Sequence, residues 1–104
     1  MKSLSFCERQ NIFRTKRDLP TPALLLDLDL FECNLEKMAQ HAQKHNKGLR
    51  PHAKTHKCVE VARRQIRAGA LGVCVATVPE AEVMTSGKIK GILLTSPLAT
   101  EDKI

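Results

Sequence analysis

The feature that most constrains the fold is a regular alternation of apolar and amphipathic segments between residues 49 and 95. Two continuous apolar runs, Leu71 to Ala76 and Gly91 to Thr95, have the length of buried strands. A segment with apolar residues at helical spacing precedes each run, and a glycine closes it. Together with an extended segment at 49–54, this pattern predicts strand, helix, strand, helix, strand, repeating every roughly 20 residues. Such an order predicts a parallel sheet with right-handed crossovers.

The residues that follow the predicted strands are candidates for a functional site. In α/β sheets of this kind, the carboxyl ends of parallel strands meet at one edge, and active sites form there. Lys54, Thr77 and Ser96 occupy these positions. Arg50 and His52 alternate with Lys54, so we expect all three to share one face of the first strand. The sequence therefore predicts that polar side chains converge at this edge.

The amino-terminal part of the chain has a different character. Ala23 to Asp27 is an apolar run of strand length, and the D-x-x-E spacing of Asp29 and Glu32 predicts the start of a helix that ends near Gly48. Three parallel strands cannot close a barrel, which takes about 250 residues. We therefore predict an α/β fold, an incomplete TIM-type (β/α) barrel, with boundaries at a polar leader 1–20, a strand and helix 21–48, and a barrel part 49–104.

Lys54 supports two interpretations on its own. A lysine at the end of a buried strand can be a nucleophile that forms an imine with a carbonyl compound, if burial and cations such as Arg50 and Lys57 favour its neutral form. Unpaired lysines are nevertheless mostly exposed, which makes a surface role the commoner one. His52 and His56 have the H-x-x-x-H spacing of a metal pair, but Pro51 keeps His52 outside a helix. We interpret both histidines as residues that line or cap a site.

The chain carries a net positive charge that is concentrated in one segment. The formal net charge is +6, and eight of the 17 Lys and Arg residues fall between residues 44 and 67. A basic binding module is therefore an alternative, but the chain has three Phe and no Tyr or Trp to stack bases, so nucleic acid is not favoured. The run of Arg63, Arg64 and Arg67 is typical of the solvated face of a helix. Neither of the common glycine-rich phosphate loops occurs.

Cysteine spacing and hydropathy indicate the cellular compartment of the chain. Cys7, Cys33, Cys58 and Cys74 are unevenly spaced and include no C-x-x-C pair, which indicates reduced, mostly buried thiols rather than a zinc ribbon or a disulfide scaffold. No apolar run reaches the length of a membrane span, and the first residues have no apolar core typical of a signal peptide. We therefore expect a cytoplasmic protein with no membrane partner.

Three stretches resemble the amino-terminal part of the D-threonine aldolase and D-serine dehydratase family. They are TPALLLDLDLFECNLEKM, LRPHAKTHKCVEVARRQIRAGALGVCVATVPEAEVM and GILLTSPL. The similarity extends in order from Thr21 to Pro97, and RPHAKTHK is its most specific part. The family consists of alanine-racemase-like, fold-type III enzymes that use pyridoxal phosphate. The resemblance therefore implies a lyase acting on small D-β-hydroxy amino acids, by retro-aldol cleavage or by loss of water.

The resemblance also assigns site residues. It implies that Lys54 forms a Schiff base with the cofactor aldehyde and acts as a base once the substrate amine has displaced it. His52 is expected near the cofactor ring. Some relatives have Gln at the position of Ala76, so one cofactor contact is in doubt here.

The architecture that the resemblance implies extends beyond the predicted barrel part. Residues 23–27 are expected to join a carboxyl-terminal β domain, and the barrel to begin at Leu49. The phosphate-binding loops and the divalent-metal ligands of the aldolases are expected beyond Ile104, so no metal ligand is predicted in this chain. The 104-residue chain alone is expected to be inactive and poorly stable, and the full-length form a homodimer. A non-catalytic carrier of pyridoxal phosphate is the second alternative.

Overall fold

The computed structural model describes residues 15–103, and most of the predicted leader lies outside the described residues. Three helices alternate with two strands over the described part of the chain, namely α1 (Leu28–Lys44), α2 (Val59–Arg67), β1 (Val73–Val75), α3 (Val78–Ser86) and β2 (Ile92–Leu94). Short 3-10 turns occupy Lys16–Asp18, Ala53–Thr55 and Glu101–Lys103. No helix within residues 15–103 is long and apolar enough to cross a membrane.

The two strands pair in parallel, as the alternating pattern predicts. Val73 lies opposite Ile92, and Val75 lies opposite Leu94. The strands are shorter than the apolar runs that contain them, because the ends of each run form the turns into the neighbouring helices. The parallel arrangement places the carboxyl ends of both strands at one edge of the sheet.

The first predicted strand is reduced to a single parallel bridge between His52 and Cys74. Two backbone hydrogen bonds of 2.8 Å, from Leu71 N–H to the Leu49 carbonyl and from Cys74 N–H to the Pro51 carbonyl, hold this segment beside β1. The prediction of a continuous strand over 49–54 is therefore wrong. Pro51 has no N–H to donate, and the chain enters a 3-10 turn immediately after His52.

The core lies between this sheet and helices α2 and α3. Its buried residues are Ala53, Ala62, Val73, Val75, Met84 and Ile89. Along β1 the side chains alternate, so that Val73 and Val75 are buried while Cys74 between them is half-buried on the opposite face. On that opposite face the neighbouring residue of β2, Leu93, is 51% exposed. One face of the sheet is therefore packed against helices, and the other is open.

Both core helices end close to the predicted glycines. Thr77 caps α3 by accepting a hydrogen bond from the Glu80 N–H at 3.3 Å, and Pro79 lies in the first turn. The helix ends at Ser86, before Gly87. After α2 the chain reverses at Gly69, whose φ of 109° falls in a region that favours glycine.

The segment before α1 differs from the prediction in two respects. Residues 23–27 do not form a strand, because no neighbouring strand within residues 15–103 pairs with them. The cap of α1 is Asp27, which accepts a hydrogen bond from the Leu30 N–H at 3.0 Å, and the prediction that the helix start lies at Asp29 is wrong by two residues. No residue of α1 is buried.

Candidate active site

Lys54 lies at the carboxyl edge of the sheet, in the 3-10 turn Ala53–Thr55 that directly follows the His52–Cys74 bridge. Its backbone N–H donates a hydrogen bond to His52 Nδ1 at 3.2 Å, and the Thr55 hydroxyl donates to the His52 carbonyl at 3.3 Å. The predicted strand-end position is thus confirmed. The prediction that Lys54 continues the strand face of Arg50 and His52 is wrong, because the turn breaks the two-residue alternation.

His52 connects this turn to the end of β2. Its Nε2 lies 3.1 Å from Thr95 Oγ1, across the end of β1. The Thr95 hydroxyl and backbone N–H both donate to the Val75 carbonyl, at 3.1 and 3.0 Å. Thr95 was missed because it was counted as the last residue of an apolar strand. The parallel register could have identified it, since Thr95 directly follows the pair of Val75 and Leu94.

Arg50 lies on the same face of the sheet as His52 but is directed toward the opposite edge. Its guanidinium crosses Gly72 and donates a hydrogen bond to the Gly91 carbonyl, just before β2 begins. A Cβ atom at Gly72 would collide with that carbonyl and with the guanidinium, so the crossing requires glycine. Arg50 is therefore bound at the amino-terminal edge and is not the neighbouring cation of Lys54 that the sequence suggested.

A second connection holds the Lys54 turn to the end of β1. The ammonium group of Lys57 forms an ion pair with the Glu80 carboxylate. The other carboxylate oxygen of Glu80 accepts a hydrogen bond of 2.8 Å from the Ala76 N–H. The Lys57 and Ala76 hydrogen bonds hold the pKa of Glu80 below its usual range, even though the Glu80 side chain is only 10% exposed. In the sequence, Thr77 and Glu80 have the spacing of a capping box, which does not reveal the contact of Glu80 with Lys57.

The remaining predicted edge residues are Thr77 and Ser96. Thr77 uses its hydroxyl as the α3 cap, and Ser96 is exposed after β2. Within residues 15–103, no hydrogen bond joins either side chain to Lys54. His56 Nδ1 accepts a hydrogen bond from the Cys58 N–H at 3.0 Å, and burial lowers the pKa of its imidazole. In the same part of the chain, no three His, Cys, Asp or Glu side chains form a group that could hold a metal.

Two arginines of the basic cluster are bound to neighbouring helices. Arg63 donates a hydrogen bond to the Gly87 carbonyl at 2.9 Å, at the end of α3. Arg64 forms ion pairs with Glu32 of α1 and Glu60 of α2. Arg63 and Arg67 are exposed, as predicted for a solvated face, whereas Arg64 is half-buried.

The described cysteines are free thiols. Cys58 and Cys74 are half-buried, whereas Cys33 is exposed on α1, so the expectation of mostly buried thiols fails there. The reason is that α1 has no buried residue. Cys7 lies outside the described residues.

Parallel strands that alternate with helices are the arrangement of a (β/α) barrel, of which this chain contains a part. The family described as "Alanine racemase, N-terminal domain" matches residues 26–104. The chain therefore belongs to this family, and its fold is part of the barrel of that domain.

Several relatives show which branch of the family is similar. The chain is 43% identical to the D-threonine aldolase of Arthrobacter sp over 84 residues, which cover 81% of the chain and 22% of the relative. It is 41% identical to the 3-hydroxy-D-aspartate aldolase of Paracoccus denitrificans over 88 residues, or 84% of the chain and 23% of the relative. The chain thus spans less than a quarter of the length of these curated relatives.

Solved structures give the same result. The crystal structure of the D-threonine aldolase from Filomicrobium marinum matches with a TM-score of 0.82 and 49% identity, over 85% of this chain and 24% of that chain. The D-threo-3-hydroxyaspartate dehydratase from Delftia sp. HT23 matches with a TM-score of 0.76 and 40% identity, over 79% of this chain and 22% of that chain. These matches confirm the resemblance to the D-threonine aldolase and D-serine dehydratase group, whose members are lyases.

Proposed function

We propose that this chain supplies the cofactor lysine, Lys54, of a pyridoxal-phosphate-dependent lyase that acts on D-β-hydroxy amino acids. The observation that carries the proposal is the position of the RPHAKTHK segment. It ends its short pairing with β1 at His52 and places Lys54 in a turn at the carboxyl edge, where barrel enzymes have their active sites.

The contacts of Lys54 fit the role of a covalent anchor. Within residues 15–103, its amine takes part in no ion pair or hydrogen bond, whereas Lys57 three residues later is paired with Glu80. An amine that reacts with an aldehyde must be free to lose its proton, and an acidic partner would oppose that loss. The structure thus separates the two lysines of the segment, leaving Lys54 available and using Lys57 as a tether.

The cofactor and the residues of this chain would have separate roles in the reaction. Bound pyridoxal phosphate would act as an electron sink that makes the bonds to the substrate α-carbon easier to break. Lys54 would hold the cofactor and then, after the substrate amine takes its place, hold or move a proton at Nζ. His52 would line the site from the side of β2, close to the turn that carries Lys54.

The substrate class follows from the relatives. The matching aldolases and dehydratases are named for D-threonine, 3-hydroxyaspartate of the D series and D-serine, which all carry a hydroxyl group on the β-carbon. We propose the same class of substrate for this protein, with either carbon–carbon cleavage or loss of water as the reaction. The full-length form is proposed to be a homodimer, and a divalent metal to be bound by residues outside this chain.

We also propose that residues 21–48 connect the barrel to a β domain. Leu24, Leu25 and Leu26 are 104%, 59% and 56% exposed, which is unusual for consecutive leucines. Together with α2 they line a groove of about 580 Å³. A strand of another domain that paired with residues 23–27 would cover these side chains and satisfy their backbone groups.

The full-length gene product tests the function. Lys54→Ala is expected to abolish the absorption band of the lysine-bound cofactor and to lower turnover of D-threonine, D-serine and 3-hydroxy-D-aspartate by about a hundredfold or more. Lys47→Ala, which changes an exposed lysine in the loop after α1, is the matched control. An unchanged spectrum in Lys54→Ala would contradict the proposal. Cofactor binding without turnover of any of these substrates would favour a non-catalytic carrier instead.

A further inference from the structure

We propose that His52 is a positioning residue that holds the Lys54 turn as one fixed neutral tautomer, with its proton on Nε2. This inference rests on the proposed function of Lys54 and names the side chain that fixes the turn. The observation behind it is a continuous series of hydrogen bonds from the Lys54 backbone to the ends of both strands.

The first bond determines the state of Nδ1. The Lys54 N–H donates to His52 Nδ1 at 3.2 Å. A backbone N–H is only a donor, and a neutral imidazole has one donor nitrogen and one acceptor nitrogen. Nδ1 must therefore be the acceptor, and the ring proton lies on Nε2.

The next two bonds agree with this assignment. Nε2 lies 3.1 Å from Thr95 Oγ1, and the Thr95 hydroxyl lies 3.1 Å from the Val75 carbonyl. A hydroxyl has a single proton, and a carbonyl can only accept, so Thr95 donates to Val75 and accepts from Nε2–H. Every donor in the series then has an acceptor. The opposite tautomer would leave the Lys54 N–H facing a second N–H.

The consequence is a division of roles at the edge of the sheet. Both nitrogens of His52 are occupied by the protein, one by the Lys54 turn and one by the end of β2. His52 therefore contributes to the site through its ring and through the placement of Lys54, and not by exchanging a proton with substrate. The half-buried ring links the first segment of the sheet to β2 without contact to any carboxylate in the described residues.

Nitrogen NMR of the full-length protein, ¹⁵N-labelled at histidine, tests the tautomer directly and requires no cofactor. At neutral pH, His52 is expected to show an unprotonated Nδ1 and a protonated Nε2 as two separate, unaveraged resonances. His45, which is exposed at the carboxyl-terminal cap of α1, is the matched control and is expected to show averaging between tautomers. A protonated Nδ1 in His52, or averaging like that of His45, would overturn the inference.

Variants test the positioning role separately. His52→Asn places its amide oxygen near the position of Nδ1, where it can accept from the Lys54 N–H, whereas the amide of His52→Gln lies one bond further out, near the position of Nε2, where its NH2 can donate to Thr95. In the full-length protein, capture of pyridoxal phosphate at Lys54, measured by borohydride reduction and peptide mass mapping at limiting cofactor, is expected to fall about fivefold in His52→Gln, the factor for one lost hydrogen bond. His52→Asn is expected to recover much of this loss.

The outcomes separate the two proposals. Equal capture by His52→Gln, His52→Asn and wild type would overturn the positioning role while leaving the function of Lys54 intact. No capture at Lys54 in the wild type would overturn the proposed function. In that case the nitrogen resonances still decide whether His52 holds the turn.

Discussion

The region of residues 49–95 buries its own apolar side chains, whereas the preceding region, residues 15–48, leaves most of them exposed. In the first region, Val73, Val75 and Met84 are at most 1% exposed within a core that the region builds for itself. In the second, α1 has no buried residue and Leu24 is fully exposed. A core made of consecutive βα units thus forms from local sequence, whereas the burial of an amphipathic helix and an apolar run depends on what they pack against.

The largest expected effect distinguishes the two regions by stability. Met84→Ala is expected to lower the free energy of unfolding by about 2–5 kcal/mol, because it leaves a cavity beneath β1. Met38→Ala, at a residue that is 51% exposed on α1, is the matched control and should change it by less than about 1 kcal/mol. Urea unfolding of the two variants measures the difference. Equal effects would show that the core does not lie where we place it.

The next largest effect is expected in the pH dependence of stability, through the ion pair of Lys57 and Glu80. The pKa of Glu80 is lower in the folded chain than in the unfolded one, so the unfolded chain binds the proton more readily. The Glu80 carboxylate therefore contributes to stability at pH values above the usual pKa range of glutamate, and this contribution is lost as pH falls through the folded-state pKa. Glu80→Gln should lower stability at neutral pH and flatten this acid-side decline.

Glu82→Gln is the control for Glu80, because Glu82 is an exposed carboxylate on the same helix. It should leave the acid-side decline as in the wild type. Thermal unfolding between pH 3 and pH 7 gives both curves. If the stability of Glu80→Gln and that of Glu82→Gln declined alike with falling pH, Glu80 would not be the residue that connects the Lys54 turn to β1.

A smaller effect is expected at His56. Burial lowers its pKa in the folded chain, so stability from the neutral ring is fully present above about pH 6.5 and is lost as pH falls through the folded-state pKa. His56→Asn keeps an acceptor for the Cys58 N–H and should remove this dependence. His41→Asn, in the exposed helix, should not. The slope of unfolding free energy between pH 5 and pH 7 is the measurement, and an identical slope in all three chains would contradict the prediction.

The smallest expected effect concerns the bond between the two regions. Glu32→Gln removes the ion pair between α1 and Arg64 of α2. Surface pairs contribute little, so we expect amide hydrogen exchange in α1 to rise by only about twofold, with exchange in β1 unchanged. Glu36→Gln, one turn later on α1, is the control. A comparable rise in β1 would mean that α1 is part of the same cooperative unit as the core.

The sequence was most informative where burial and local geometry are both encoded in neighbouring residues. The two apolar runs and their flanking glycines predicted the parallel pair and the helices of the core, and RPHAKTHK predicted both the family and the strand-end position of Lys54. A continuously apolar run of this length indicates a strand, although only one face of the sheet is packed against helices within residues 15–103.

Pairing and long-range contacts were less predictable. The run at 23–27 has the composition of a strand but no partner in the described chain, and the segment 49–54 pairs only once because Pro51 cannot donate. The contacts from His52 to Thr95 and from Lys57 to Glu80 join residues 43 and 23 positions apart, so no local spacing reveals them. Only the register of the sheet brings these residues together.

The most direct test of the central claim is the identity of the lysine that captures pyridoxal phosphate. The full-length wild-type protein is treated with the cofactor and with borohydride, and the modified lysines are mapped by peptide mass spectrometry, with Lys54→Arg and Lys47→Arg in parallel. We expect the adduct to accumulate at Lys54 ahead of every other lysine, to disappear in Lys54→Arg and to persist in Lys47→Arg. An adduct spread evenly over the exposed lysines, or unchanged in Lys54→Arg, would contradict the assignment of Lys54 as the cofactor lysine.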